Sequence, residues 1–158
     1  MNVSRILVPV DYSEQSRRAL EYGAALAEAF GAPIDVVHCW DRPSYVPENV
    51  YIERPGGKRR PLVDVLREDA EHEMSEFLNA TRLPPGVTPG RHLVNGEPAA
   101  AILSRAQKGG HDLIVIGTNG RTGVRQLLLG SVAARLVRLA PVPVITIPPG
   151  MRASQPPG

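Results

Sequence analysis

The sequence predicts an α/β fold: a five-stranded parallel sheet with helices on both faces, three layers in all. Three observations carry this reading. Short apolar runs alternate with longer stretches whose apolar residues recur at helical spacing. The strand–helix order repeats along the chain, which is the pattern of parallel sheets built with right-handed crossovers. Glycine and proline fall mainly at the joints between these units.

Residues 5–10, Arg5-Ile6-Leu7-Val8-Pro9-Val10, form the first strand, and Pro9 argues against a full ladder near its end. Ser13 is the expected N-cap of the first helix. Its apolar face is Ala19, Leu20, Gly23, Ala24, Leu26, Ala27 and Phe30, with Gly31 and Pro33 as the stop. Residues 34–40 are the second strand. The stretch 42–60 is rich in proline, glycine and charge and reads as an irregular insertion or lid. Leu62, Leu66, Ala70, Met74, Phe77 and Leu78 mark the second helix, closed by Pro84-Pro85. Residues 88–94 are a weaker strand, which Pro89 and Gly90 assign to a sheet edge. The third helix begins at Gly96-Glu97-Pro98, with Pro98 in the first helical position. It buries Ala99, Ile102, Leu103 and Ala106 and ends at Gly109-Gly110. The fourth strand, Leu113-Ile114-Val115-Ile116, ends on Gly117. A Gly-rich loop leads to Gly130-Ser131 and a last helix burying Val132, Ala133, Leu136, Val137 and Ala140. Residues 142–147 close the fold as the fifth strand.

The chain has 158 residues, 42% apolar and 22% charged, as an ordinary globular domain has. One domain over 1–148 and a flexible tail over 149–158 are expected. Lys and Arg outnumber Asp and Glu by only 18 to 16, so no nucleic-acid partner is expected. Lys58-Arg59-Arg60 is read as a solvated cluster on the same ground. No apolar run is long enough to cross a membrane, and no signal-peptide core is visible at the N-terminus. A single cysteine, Cys39, excludes an internal disulfide and suits a reducing, cytoplasmic setting.

The chemistry concentrates in Gly117-x2-Gly120-x9-Gly130-Ser131. Glycines admit close backbone approach, and a helix N-terminus presents free N–H groups to a phosphate. The spacing is neither a Walker A loop nor a dinucleotide fingerprint, because Gly-Lys-Ser/Thr and Gly-x-Gly-x-x-Gly are both absent. Sheets of this kind bind ligands beyond the strand C-termini, where the winding reverses. If Asp11 and Gly117 serve one ligand, their strands are neighbours and the strand order is 3-2-1-4-5. Asp11 could cap the first helix, but Ser13 is better placed, which leaves Asp11 for a ligand. His38 reads as a core or rim histidine and Cys39 as a small apolar residue. His72, His92 and His111 have no metal-site spacing. Arg121 and Arg125 fit either phosphate neutralisation or solvated loop charge. Asp11 is the one carboxylate placed at the site; Glu97 and Asp112 are expected on the opposite side. These are parts for holding a nucleotide and few for spending it, which leaves slow hydrolysis open.

These motifs resemble those of the universal stress proteins, in their ATP-binding branch. The resemblance runs through Ile6-Leu7-Val8-Pro9-Val10-Asp11, Val36-Val37-His38, Gly96-Glu97-Pro98-Ala99 and residues 114–147. It implies a Rossmann-like fold of the adenine nucleotide alpha hydrolase-like kind. It also implies ATP, or AMP or ADP, lying across the strand ends. Pro9, Val10 and Asp11 would border the adenosine, and the Cys39 backbone would meet the adenine edge. Ile116 would touch the nucleoside, while Gly117 and Gly120 admit the ribose and first phosphates. Gly130, Ser131 and Val132 would hold the terminal phosphates; Arg121 is counted with these site residues on its loop position, apart from the resemblance. Mg²⁺ or Mn²⁺ would arrive with the phosphates. The family also implies a homodimer through residues 142–147, an apolar edge. A dimeric, nucleotide-dependent sensor or regulatory module in stress response, with an unidentified protein partner, is the expected function. A slow ATPase or nucleotidyl-transfer enzyme, and a nucleotide-free dimerisation module, are the alternatives.

Overall fold

The computed structural model describes residues 3–40, 49–53, 55–118 and 129–150. Strand and helix alternate as β1 (Ile6–Val10), α1 (Glu14–Phe30), β2 (Ile34–Cys39), β3 (Tyr51–Ile52), β4 (Arg60–Pro61), α2 (Leu62–Asn79), β5 (Gly90–Val94), α3 (Pro98–Lys108), β6 (Leu113–Gly117), α4 (Ser131–Leu139) and β7 (Val144–Ile147). The main sheet is parallel, in the order β5-β2-β1-β6-β7. Counting only its own strands, this is the expected 3-2-1-4-5.

Each strand sends alternate side chains to opposite faces. Ile6, Val8 and Val36 pack under Leu20 and Ala24 of α1 and Met74 and Phe77 of α2. Leu7, Val37, Ile114 and Ile116 meet Ala99 and Ile102 of α3 and Ala133 and Leu136 of α4 on the other face. Ser13 caps α1, its side chain accepting from the Ser16 amide at 3.1 Å, and Gly31 ends the helix at φ 63°.

Some expected details change. Phe30 is 48% exposed, because it lies in the last turn of α1, past buried Ala27. Val137 is 51% exposed although it shares a face with buried Ala133, because it lies in the last turn of α4, past Leu136, where the helix is exposed to its end. The fifth strand starts at Val144, two residues after the apolar run begins. Within the stretch read as irregular, β3 and β4 pair antiparallel. Arg59 lies over the Tyr51 ring, and Arg60 pairs with Glu68 of α2. Two-residue strands show no period in sequence, which is why they escape notice.

The two ends of the sheet are built differently. At one, the β1–β6 ladder stops at Leu7–Ile114, whereas β1–β2 pairing continues to Val10–His38. Pro9 has no N–H to give, and beyond Leu7 the ends of β1 and β6 part. The opposite end holds a buried charge cluster under the last turn of α3. The Asp35 carboxylate accepts from Arg5 Nε at 2.7 Å and lies 2.7 Å from His111 Nε2 and 3.0 Å from His92 Nε2. Burial alone would raise its pKa. The hydrogen bonds from Arg5, His92 and His111 prevail and hold it well below the usual carboxylate range.

Candidate functional site

Where β1 and β6 part, the sheet opens into a cavity of about 300 Å³ at the strand C-termini. Pro9 and Val10 end β1 there and Asp11 follows them, Cys39 ends β2, and Ile116 and Gly117 end β6. Gly130, Ser131 and Val132 bring in the start of α4. The structure thus gathers in one place residues that the sequence scatters over more than 120 positions. Gly120, Arg121 and Arg125 lie outside the described residues. His38, Ser16, Pro98, Ile102 and Thr118 also line the cavity, although the sequence does not single them out as ligand contacts. Pro98 and Ile102 do carry a signal: a helix that follows a parallel strand begins at the ligand end of the sheet.

The turn from β1 into α1 sets Asp11. Tyr12 adopts the left-handed conformation at φ 64°, uncommon for a side-chain-bearing residue. Its ring stacks on His38 at 4.1 Å between centroids and packs against Phe77. His38 Nδ1 in turn meets the Val10 carbonyl at 2.8 Å, so the rim reading of this histidine holds. Asp11 is not left over from capping as expected. Its Oδ1 accepts from the Ser13 amide at 3.1 Å and the Ser13 hydroxyl at 2.5 Å, while Ser13 Oγ accepts from Ser16. The carboxylate is therefore held in place by the capping turn itself.

Gly117 is small for a packing reason. A Cβ there would lie 2.8 Å from Gln15 Cγ and 3.1 Å from the Gln15 carbonyl oxygen. Gln15 itself donates to the Ile147 carbonyl, so α1, β6 and β7 meet at this point. Gly130 lines the cavity as expected, but its amide donates to the Thr118 carbonyl at 2.5 Å. That bond ties the end of β6 to the N-cap of α4. Ser131 and Val132 remain the residues that open α4.

Among the described residues, three helix N-termini reach the cavity, and they differ in charge. α1 is capped by Ser13. α3 is capped by Glu97, whose Oε1 and Oε2 accept from the Ala99 and Ala100 amides at 3.3 and 3.0 Å. α4, with Gly130 at its N-cap, has no side-chain cap among the described residues. The uncapped end is thus the one at which an anion would find unclaimed positive dipole. Glu97 was expected away from the site. It stands beside Pro98 because α3 follows β5 and so starts at the strand C-termini. The Ala100 amide lowers its carboxyl most, desolvation opposes it next, and the Ala99 amide and Arg135 add to the lowering, so it stays below the usual range. Asp112 does lie at the opposite end, accepting from Ser4 and Arg5.

Cys39 faces the cavity with a protonated thiol. Burial, and then the Glu97 carboxylate, push its pKa up to about 11, and its Sγ lies 3.7 Å from the Pro98 carbonyl oxygen. This disfavours the thiolate at neutral pH and agrees with the apolar reading. Among the described residues no group of three His, Cys, Asp or Glu side chains is arranged for a metal, and no helix is long and apolar enough to cross a membrane.

Comparisons with known proteins fall on one family. A universal stress protein of Thermus aquaticus is 36% identical over 143 residues, covering 90% of this chain and 96% of that one. Among solved structures, the universal stress protein UspA from Lactobacillus plantarum superposes with a TM-score of 0.65 at 25% identity, covering 93% of this chain and 99% of that one. A universal stress protein from Archaeoglobus fulgidus, solved in complex with dAMP, has a TM-score of 0.58 at 27% identity, covering 92% and 98%. The profile of the universal stress protein family matches residues 2–148, from the first strand through the fifth and across every wall of the cavity. On sheet order, on the position of the cavity and on this match, the chain belongs to the universal stress protein family.

Proposed function

We propose that this chain binds an adenine nucleotide, ATP in particular, in the cavity between β1, β2 and β6, and works as a dimeric nucleotide-dependent regulatory module. The observation that carries the reading is the pairing of an apolar crevice with the uncapped N-terminus of α4 at its edge. The crevice suits a nucleoside, and the helix end suits phosphate. The Archaeoglobus relative bound to dAMP supports an adenine nucleotide as the ligand class. Ser131 and Val132 hold the phosphates in this reading, the Asp11 carboxylate takes the nucleoside, and Mg²⁺ or Mn²⁺ enters with the phosphates. Hydrolysis would be slow, because Asp11 is tied to Ser13 and no lysine lines the cavity among the described residues.

The test is direct. The protein is purified under mild conditions, its ligand is released with acid and identified, and the emptied protein is titrated with ATP in a thermal shift assay. Release of an adenine nucleotide and a rise in melting temperature are expected. An empty protein with no shift in ATP would overturn the reading. Turnover measured with Mg²⁺ or Mn²⁺ separates a binding module from an enzyme.

A further inference from the structure

Glu97 and Arg135 join α3 and α4, two of the helices whose first turns line the cavity. Arg135 NH1 lies 2.7 Å from Glu97 Oε1, and each side chain is 49% exposed. Glu97 carries a second duty, since the same carboxylate caps α3. Arg135 has a second place to go. It sits four residues after Ser131, hence on the same face of α4. Helical side chains lean toward the helix N-terminus, so an arginine here covers the turn before it, the one that begins at Ser131 and has no side-chain cap among the described residues. In this structure the guanidinium is held by the Glu97 carboxylate, outside the cavity lining; turned along α4 from that partner, it would reach an anion seated at the start of the helix.

We propose that Arg135 is a phosphate-binding arginine of this site and that Glu97 competes with the nucleotide's phosphates for it. The inference rests on the nucleotide reading given above and deepens it. An uncharged nucleoside offers Arg135 nothing and leaves the pair intact. A polyphosphate offers a stronger, multiply charged acceptor with which arginine makes bidentate bonds. Glu97 also makes the α3 end of the crevice negative, so phosphates are directed toward α4 and away from α3. The pair thereby selects ligands by charge and sets their orientation, and Arg135 leaving Glu97 releases a tie between α3 and α4 when phosphate binds.

Binding of ATP and of adenosine to the emptied protein, measured by calorimetry in wild type, Glu97→Gln, Arg135→Gln and the double variant, tests this. Glutamine at 97 keeps the length and one capping oxygen, and melting temperatures confirm that each variant is folded. Glu97→Gln is expected to tighten ATP about 3- to 10-fold, and Arg135→Gln to weaken it by a similar factor, the size of one charge-assisted contact at a half-exposed site. Adenosine should change less than about twofold in both, and the Glu97→Gln gain should vanish in the double variant. Equal effects on ATP and adenosine, or no effect of either change on ATP, would overturn the competition while leaving nucleotide binding standing. Failure of the wild type to bind ATP at all would overturn both.

Discussion

Asp35 is a buried carboxylate with three basic side chains around it, and the balance among them is a stability device distinct from the cavity. Removing it as Asp35→Ala leaves fully buried His111, and the part-exposed Arg5, without their acceptor. A loss of about 3–5 kcal/mol in urea denaturation is expected, as for other buried pairs broken on one side. The pH dependence has a defined sign. The folded pKa of Asp35 is depressed, so its stabilisation is complete above the ordinary aspartate value near 4 and is lost as pH falls below it. Acid unfolding of Asp35→Asn should accordingly be less steep than that of the wild type below about pH 4. Cys39 offers a second residue-scale check. With its pKa raised to about 11, its alkylation by iodoacetamide at pH 8 should run roughly two orders of magnitude slower than that of a free cysteine, and guanidinium should restore the ordinary rate. The apolar reading of Cys39 was available from the sequence, but the Asp35 cluster was not. Asp35, His92 and His111 are separated by tens of residues, and only the β2–β5 register and the α3–β6 turn bring them together. The reading that Asp11 stands clear of the capping turn failed similarly, because Ser13 uses both its amide and its hydroxyl on Asp11.

At the scale of elements the sequence was far more readable, since periodicity reports burial and burial assigns faces. The runs at 6–10, 34–39 and 113–117 became the buried strands, and Pro9, read as a ladder breaker, lies beyond the point where β1 and β6 cease to pair. Glu97 falls at the cavity because its place is set by the sheet end its helix starts from, which the helix's own sequence does not report. The helix N-termini make a sharp prediction. Gly130→Asp would supply α4 with the side-chain cap it lacks among the described residues. Its melting temperature should be unchanged or slightly raised, the gain being a few tenths of a kcal/mol, while ATP affinity drops by more than about tenfold because the new carboxylate occupies the phosphate position. A variant that binds ATP as the wild type does would place the phosphates elsewhere. Gly117 works at the junction of three elements, and Gly117→Ala should cost about 1–3 kcal/mol, because the added methyl meets the backbone of Gln15 as well as its flexible side chain.

For the whole molecule, the edge at β7 is the surface that asks for a cover. This strand pairs with β6 and ends the sheet. Ile145 on it is 37% exposed, and on α4 Val137 and Leu139 are 51% and 52% exposed. Long apolar side chains along a strand edge are what a second copy of the chain would bury. A two-fold pairing through residues 142–147 would join two sheets and set the α4 helices of the two copies near the interface. Phosphate binding at the start of α4 and assembly through its exposed side would then act on one element. Ile145→Asp places a charge at that edge, and the monomer gives up the covered part of the Ile145 side chain and a favourable strand residue. Its monomer stability should fall by about 1–2 kcal/mol. Sedimentation of the wild type should give a dimer and of the variant a monomer. Dimerisation stabilises by mass action, so the melting temperature of the wild type should rise with protein concentration and that of Ile145→Asp should not. A variant that still sediments as a dimer, with a concentration-dependent melting temperature, would move the interface away from β7.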